Sequence, residues 1–334
     1  MTVSNGIITE NVEFCYQCGM KGNPLQDNVS DPDHQIPGYW SYKTCVDNCQ
    51  AAWLDPRPLE SELLKAYLTY HTHTKSKSLS FLEKSIFSIC KRLIKLTLFP
   101  LYYFNGINTE AKRMKLMDLG ESSRGYLLEI GCGGGRFLAR MKKRNWVVEG
   151  LDIDPEVAKK VSKKYGILVH TGDVLNQKLP DETYDVITMN QTIEHLYNPS
   201  LVLNECCRIL KPGGRIIMTT PNVGCTAAKL FGEYWRGWEP PRHLFLFTPK
   251  SISKIVSGAG FEITSVETYS CESAIGYYSS LVNKKISEKT AIGLMSAIST
   301  LFWSYWMELK EFNEKKINPD IGQGLFLSAI KPLR

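Results

Sequence analysis

The stretch Tyr126-Leu-Leu-Glu-Ile-Gly-Cys-Gly-Gly-Gly-Arg136 constrains this chain more than any other. Apolar residues and one acid run straight into a glycine cluster, and Phe137-Leu-Ala-Arg-Met then opens a helical pattern. A buried parallel strand that turns tightly into a helix reads this way. Glycines at such a turn let a ligand reach the backbone and the helix N-terminus without Cβ atoms in between. A dinucleotide fingerprint needs a further glycine or alanine five residues after the first. Arg136 holds that place, which argues against a dehydrogenase.

From Tyr126 onward short apolar runs alternate with helical patterns. Strands are expected at Tyr126–Ile130, Trp146–Leu151, Ile167–His170, Asp185–Met189 and Arg215–Thr219, with helices at Asp154–Tyr165 and Ser200–Leu210. This rhythm predicts an α/β, Rossmann-like fold with helices on both faces of a parallel sheet. Ligand groups then belong in the loops at the carboxyl ends of the strands. Asp152 ends the second strand, Asp173 follows the third, and Asn190 and Gln191 end the fourth. The acids at 129, 152 and 173 stand about one β–α unit apart.

Glu129, Gly131, Cys132, Gly133 and Gly135 together write Glu-x-Gly-x-Gly-x-Gly. With Glu194-His195-Leu196 and the Arg208-Ile-Leu-Lys-Pro-Gly-Gly214 turn, residues 124–222 resemble the core of class I S-adenosylmethionine (SAM) methyltransferases. The resemblance implies a seven-stranded sheet whose last strand is antiparallel, with Phe261–Tyr269 and Gly324–Ile330 as the two remaining strands. It implies that Glu129 orders a glycine loop around the methionine part of SAM and that Asp152 holds the ribose hydroxyls. By the same resemblance Asp173 meets the adenine amino group between Ile153 and Val174, and Asn190 and Gln191 lie beside the transferred methyl.

Residues 1–58 read as a separate unit, 59–120 as a helical linker or cover, and 121–334 as the main domain with insertions at 231–249 and 272–320. Cys15-Tyr-Gln-Cys18 and Cys45-Val-Asp-Asn-Cys49 are two knuckles whose thiolates can close tetrahedrally around a structural zinc. With the rigid Leu54-Asp-Pro-Arg-Pro connector and a helix expected over Glu60–Tyr70, they resemble the zinc ribbon that precedes many bacterial methyltransferase domains. The opening residues lack the basic-then-apolar pattern of a signal peptide, so the expected compartment is a reducing cytoplasm, with peripheral contact at the inner membrane face left open.

The net charge is +6, and residues 71–118 alone carry nine Lys or Arg against three acids, 9 − 3 = +6. Within 79–104 an apolar face lies beside Lys84, Lys91, Arg92 and Lys95. Such a helix either covers the main domain with its lysines reaching solvent, the reading preferred on frequency, or lies on an anionic membrane surface. The aromatic run within 295–309 either packs against the 79–104 helix, the preferred reading, or forms a membrane-facing or dimer-forming surface. The sequence does not indicate an oligomeric state.

The aromatic insertion Phe231–Pro249 is too long and too apolar for a simple turn. Tyr234, Trp235 and Trp238 are candidates for an apolar wall around an acceptor, and Arg236 and Arg242 for holding an anionic one. A hydroxyl acceptor needs a base. His243 in the insertion and His195 after the fourth strand, beside Glu194, are the candidates. Ubiquinone-type O-methyltransferases carry a Glu-x-x-Glu-His segment that can hold a divalent metal, but Gln191 replaces its first glutamate here.

The resemblance to zinc-ribbon methyltransferases implies a small-molecule or saccharide acceptor in cell-surface glycan or lipid biosynthesis. One rival is a nucleic-acid methyltransferase gripping through the basic 71–118 segment, although Asp27, Asp31, Asp33, Asp47 and Asp55 make the N-terminal unit acidic. The other is a SAM-binding regulatory protein without transfer activity.

Overall fold

The structure, a computed structural model, describes residues 2–4, 6–31, 36–46, 48–63, 65, 81–120, 124–290 and 293–333. Most of the helix expected over Glu60–Tyr70 lies outside the described residues; Glu60–Glu62 form a single 3-10 turn.

In chain order the elements begin with β1 (Thr2–Ser4), β2 (Ile7–Glu10), β3 (Asn23–Asp31), β4 (Ile36–Thr44), β5 (Ala52–Leu54) and β6 (Arg57–Pro58). Next come α1 (Phe81–Asn105), α2 (Ile107–Lys115), β7 (Tyr126–Ile130), α3 (Arg136–Lys142), β8 (Val147–Asp152), α4 (Pro155–Tyr165) and β9 (Leu168–Thr171). They are followed by β10 (Tyr184–Asn190), α5 (Pro199–Ile209), β11 (Leu210–Pro221), α6 (Thr226–Phe231) and β12 (Phe245–Leu246). The chain closes with α7 (Pro249–Gly258), β13 (Glu262–Tyr269), α8 (Ser273–Ser287), α9 (Leu294–Lys315) and β14 (Gly324–Ile330).

Two compact units are built from non-consecutive stretches. One holds residues 112–221, 249–267 and 325–334; the other holds 1–111, 222–248 and 268–324. This grouping by contact cuts across the sequence blocks 1–58, 59–120 and 121–334.

The first unit is organised on a seven-stranded sheet of order β13-β14-β11-β10-β7-β8-β9. β7 pairs in parallel with β10 on one side and β8 on the other, and β8 pairs in parallel with β9. At the other end β14 runs antiparallel to β11: Lys331 at its end bonds Gly213 and Gly214 near the start of β11. The expected fold class therefore holds.

Local sequence explains the regularity. β7 and β10 are buried on both faces over Leu127–Ile130 and Val186–Met189 and are mostly apolar there, as central parallel strands tend to be. Glu149 is tolerated in β8 because Tyr184 donates to it at 2.7 Å and His170 Nε2 lies at 3.0 Å. α4 starts where the Asp154 carboxylate accepts the Glu156 N–H at 2.8 Å, with Pro155 in the first turn, and stops at Gly166 in left-handed conformation.

The second unit contains a sheet of order β12-β5-β4-β3, in which Phe245 and Leu246 pair antiparallel with Trp53 and Ala52. The aromatic insertion is thus a strand partner of the cysteine-bearing segment. α9 packs on α8 and on α1, where the Tyr102 hydroxyl bonds the buried Glu308 and the Tyr102 and Tyr305 rings sit 6.4 Å apart. Packing of the 301–307 run against the 79–104 helix is as expected.

Candidate active site

Within the sheet unit the turn after β7 is shaped by glycines with two different tasks. A Cβ on Gly131 (φ +72°) would stand 2.5 Å from Thr192 Oγ1, and one on Gly135 (φ +65°) 2.5 Å from Val161 Cγ1. Those two glycines let the turn pack against its own unit. A Cβ on Gly133 or Gly134 would meet nothing within 4 Å. The turn is therefore tight at its ends and open at its middle. Gly131 and Cys132 also donate their N–H groups to the Leu151 carbonyl, at 2.8 and 3.1 Å, tying the turn to the end of β8.

Asp152 ends that strand. Its Oδ2 accepts the Gly133 N–H at 2.8 Å and its Oδ1 the Asp154 N–H at 3.0 Å. An ionised carboxylate offers about four acceptor sites, so capacity remains for a ligand. Burial raises its pKa above the ordinary aspartate value against the pull of these N–H groups.

The end of β9 is held to β8 by the Gly172 N–H on the Asp152 carbonyl, at 2.9 Å. Asp173 caps the following 3-10 turn, accepting Leu175 N–H at 2.9 Å, with Val174 buried; Ile153, after Asp152, is 54% exposed. Asn190 ends β10 with its side-chain oxygen accepting from Thr219 at 2.7 Å. Gln191 takes a left-handed φ of +52° and donates its N–H to the Thr219 carbonyl. The carboxyl ends of β7 to β10 thus carry Gly131–Gly135, Asp152, Asp173, Asn190 and Gln191.

Glu129 is buried in β7 with Oε2 lacking any hydrogen-bond partner among the described residues. Burial, and then the charge of Asp152, push its pKa well above the carboxylate range. Glu194 is fully buried in the 3-10 turn Ile193–His195 and accepts from the Thr220 hydroxyl at 2.9 Å, while His195 is half-buried. Sequence reasoning missed Thr192, whose hydroxyl bonds the Ile130 carbonyl at 3.2 Å behind Gly131. No pattern in the sequence marks it.

The second unit holds the other candidates. Trp235 and Trp238 are buried edge to face, 5.2 Å apart, and Tyr42 stacks obliquely on Trp238 at 4.8 Å. Trp238 Nε1 donates to the Gly232 carbonyl, and Tyr234 ends the adjacent 3-10 turn. Arg242 reaches Asp31 at 2.9 Å and Glu239 at 2.6 Å, and Arg236 pairs with the other Glu239 oxygen.

His243 Nδ1 donates to the Gly237 carbonyl at 2.8 Å, which leaves Nε2, 3.8 Å from Glu239, as the basic nitrogen. Burial pushes the His243 pKa below its ordinary value despite the attraction of Glu239. Burial also works against ionised Glu239, but the charges of His243, Arg236 and Arg242 outweigh it and hold that carboxyl low.

In the same unit Cys15, Cys18, Cys45 and Cys49 converge, with sulfur separations of 3.4 Å (15–49), 3.5 Å (18–45) and 3.7 Å (18–49). A tetrahedral zinc–thiolate site has edges of about 3.8 Å, from zinc–sulfur bonds of about 2.3 Å. The donor set and its spacing fit that ion. Each knuckle closes through a left-handed residue, Gly19 after the first pair and Gln50 after the second, so the extra residue in Cys45–Cys49 is accommodated.

Residues 106–266 match the family described as a methyltransferase domain. Over 100 residues the chain is 36% identical to a Mycolicibacterium smegmatis protein named "Probable S-adenosylmethionine-dependent methyltransferase", covering 29% of this chain and 38% of that one. Over 103 residues it is 36% identical to a ubiquinone biosynthesis O-methyltransferase of Saccharophagus degradans, covering 29% and 43%. Among solved structures, a SAM-dependent methyltransferase of Thermotoga maritima shares 20% identity at a TM-score of 0.45, covering 73% of this chain and 99% of that one. The matched stretch spans less than half the length of either relative. Residues 106–266, just under half of this chain, are thus similar to a methyltransferase domain.

Proposed function

We propose that the chain is a SAM-dependent methyltransferase that methylates a hydroxyl of a small molecule or saccharide in the making of a cell-surface glycan or lipid. The observation that carries the reading is the open ground before Gly133 and Gly134, bounded by the Asp152 carboxylate at the carboxyl edge of the central strands. When bound there, SAM supplies a methyl group already activated on a sulfonium, and S-adenosylhomocysteine leaves.

The Gly131–Gly135 backbone, with Cys132, would cradle the methionine end, and Glu129 would order that loop from beneath. Asp152 would hold the ribose hydroxyls, and Asp173 the adenine edge with Ile153 and Val174 beside the ring. Asn190 and Gln191 would lie next to the methyl. Catalysis then rests on alignment in a dry pocket and on removal of the acceptor's proton.

His243 and His195 are the candidate bases. His243 has Nδ1 fixed by a carbonyl, which assigns the proton-accepting role to Nε2, with Glu239 placed to stabilise the imidazolium. His195 has its position just after β10 in its favour. Glu194 acts as a positioning residue, since its carboxylate holds Thr220. In the acceptor region Tyr234 stands beside the buried Trp235–Trp238 pair, which shapes the insertion from within, and an anionic acceptor would compete with Glu239 and Asp31 for Arg236 and Arg242. The hydroxyl acceptor is supported by the relative named as an O-methyltransferase. The glycan or lipid pathway rests on the resemblance of the N-terminal segment to the zinc ribbons of such methyltransferases, not on a residue of the site. Four thiolates there would hold a structural zinc whose binding adds to folding stability.

Calorimetry with S-adenosylhomocysteine and a labelled-methyl assay over hydroxylated small molecules and saccharides test the reading. Binding that is lost in Asp152→Ala, together with labelled product, supports it. Binding without transfer to any acceptor would leave a SAM-binding regulator, and no binding at all would sink the assignment.

A further inference from the structure

We propose that α1 docks the protein on an anionic lipid surface through a second apolar face that its own unit leaves uncovered. The inference is independent of the transferase reading. One side of α1 packs inward: Leu98 is buried and the Tyr102 hydroxyl bonds Glu308 on α9. Nearly opposite, Ile89, Leu93, Leu96, Phe99, Tyr103 and Phe104 are each between 54% and 84% exposed.

At 100° per residue these six fall within roughly 140° of arc and run for roughly 23 Å along the helix. At one end Phe99 stacks on Tyr103 and Tyr103 meets Phe104 edge to face, with ring centroids 6.2 and 5.6 Å apart. A helix in a globular protein ordinarily turns a polar face to water, so an exposed stripe of this length calls for a partner.

The charges on the stripe's border select the occupant. Arg92 falls inside one edge of the arc; Lys95 lies roughly 40° beyond it with its ammonium 5.8 Å from the Tyr305 ring, and Lys91 stands further round, towards the inward face, all three exposed. The helix holds one acid, Glu83, against Lys84, Lys91, Arg92 and Lys95. A second copy of the chain would set like charges around the same seam. An anionic lipid headgroup layer matches them while the acyl boundary takes the aromatics. No helix among the described residues is long and apolar enough to cross a membrane, so α1 lies in the interface plane.

Flotation of the full chain with phosphatidylcholine vesicles, with and without phosphatidylglycerol, tests the proposal. Binding is expected on the anionic vesicles, at least tenfold weaker on neutral ones, and weakened by salt. Leu96→Glu with Phe104→Glu should abolish it, and Arg92→Ala with Lys95→Ala should weaken it by roughly fivefold per charge removed.

No binding to anionic vesicles, or equal binding to neutral ones, would overturn the proposal. So would binding that survives the Leu96→Glu and Phe104→Glu pair. A concentration-dependent dimer in sedimentation, dispersed by that pair in a protein that ignores vesicles, would make the face a self-interface instead. Should the apolar pair fail to fold by circular dichroism, the alanine pair, which leaves the stripe intact, decides the case alone.

Discussion

Arg242 and Asp31 form an ion pair, 2.9 Å apart, between side chains that are 2% and 3% exposed and 211 residues distant in sequence. Glu239 completes the group from the other side at 2.6 Å. The pair joins the last residue of β3 to the aromatic insertion, beside the β5–β12 pairing that makes them parts of one sheet. Two acids and one cation at this depth are tolerated because each charge meets its opposite.

Removing the cation should therefore cost more than losing a surface pair. Arg242→Ala leaves Asp31 and Glu239 buried without their shared partner and should lower unfolding free energy by about 3–5 kcal/mol. Chemical denaturation measures it. A loss below about 1 kcal/mol, the range of exposed pairs, would show that the group is solvated.

Gly131 and Gly134 should separate folding from binding. Gly131→Ala drives a Cβ into Thr192 at a positive φ and should cost about 1–3 kcal/mol in thermal unfolding. Gly134→Ala meets no protein atom, so its melting curve should stay close to that of the parent while S-adenosylhomocysteine affinity drops at least tenfold. Unchanged affinity in Gly134→Ala would move the cofactor away from this turn.

Stability should depend on pH through Glu311. Burial raises its pKa from 4.5 to about 7, although Tyr277 donates to it at 2.7 Å and the Gln323 N–H at 3.1 Å. The unfolded chain releases this proton near 4.5 and the folded one near 7. Between those values the folded state binds more protons, so its stability is complete below 4.5 and declines as pH rises towards 7. Glu311→Gln should remove up to about 1.4 kcal/mol per pH unit of that slope. Parallel stability–pH curves for the two proteins would contradict the assignment.

The four thiolates should bind one zinc per chain by elemental analysis. Cys18→Ser, or a strong chelator, should lower the melting temperature, because metal binding to the folded knuckles adds to folding free energy. Metal-free protein that melts identically with and without chelator would show an ordinary thiol cluster.

With His243 as the base, the acid limb of the kcat/KM profile should fall below the usual histidine value, because burial lowers its pKa. Activity should then persist as pH drops through 6.5, be lost at lower pH, and vanish in His243→Gln. If His195→Gln instead abolishes turnover and His243→Gln spares it, the base is His195.

The sheet unit was largely legible in the residues. Glu129 to Arg136, Asp152 and Asp173 stand in a local strand–turn–helix grammar, and each is placed by neighbours within a few positions. The strand limits read from sequence differ from the observed ones by a residue or two, except at β11, which starts at Leu210 rather than Arg215 because the Lys-Pro-Gly-Gly turn is drawn into the strand. The helices at Pro155 and Pro199 begin where proline and a preceding polar residue announce them.

The second unit was not legible in the same way. Phe245–Leu246 read as part of a long loop, and no periodicity could reveal pairing with Ala52 and Trp53, more than half the chain away. Likewise α1 showed one amphipathic pattern in sequence, where the structure shows an inward face on α9 and a second apolar face in solvent. Which of two apolar faces is buried depends on a partner elsewhere in the chain.

By itself, then, the sequence determined the glycine turn: a strand that stops at Ile130, open backbone at Gly133 and Gly134, and carboxylates one strand apart to meet a ligand. Those are local demands, met by φ angles and by side-chain volume. Only the tertiary structure decided that Arg242 faces Asp31, that the aromatic insertion completes the sheet of the cysteine segment, and that α1 keeps an apolar stripe in water. Long-range pairings follow from burial and charge matching summed over the whole chain, and no short window of sequence contains that sum.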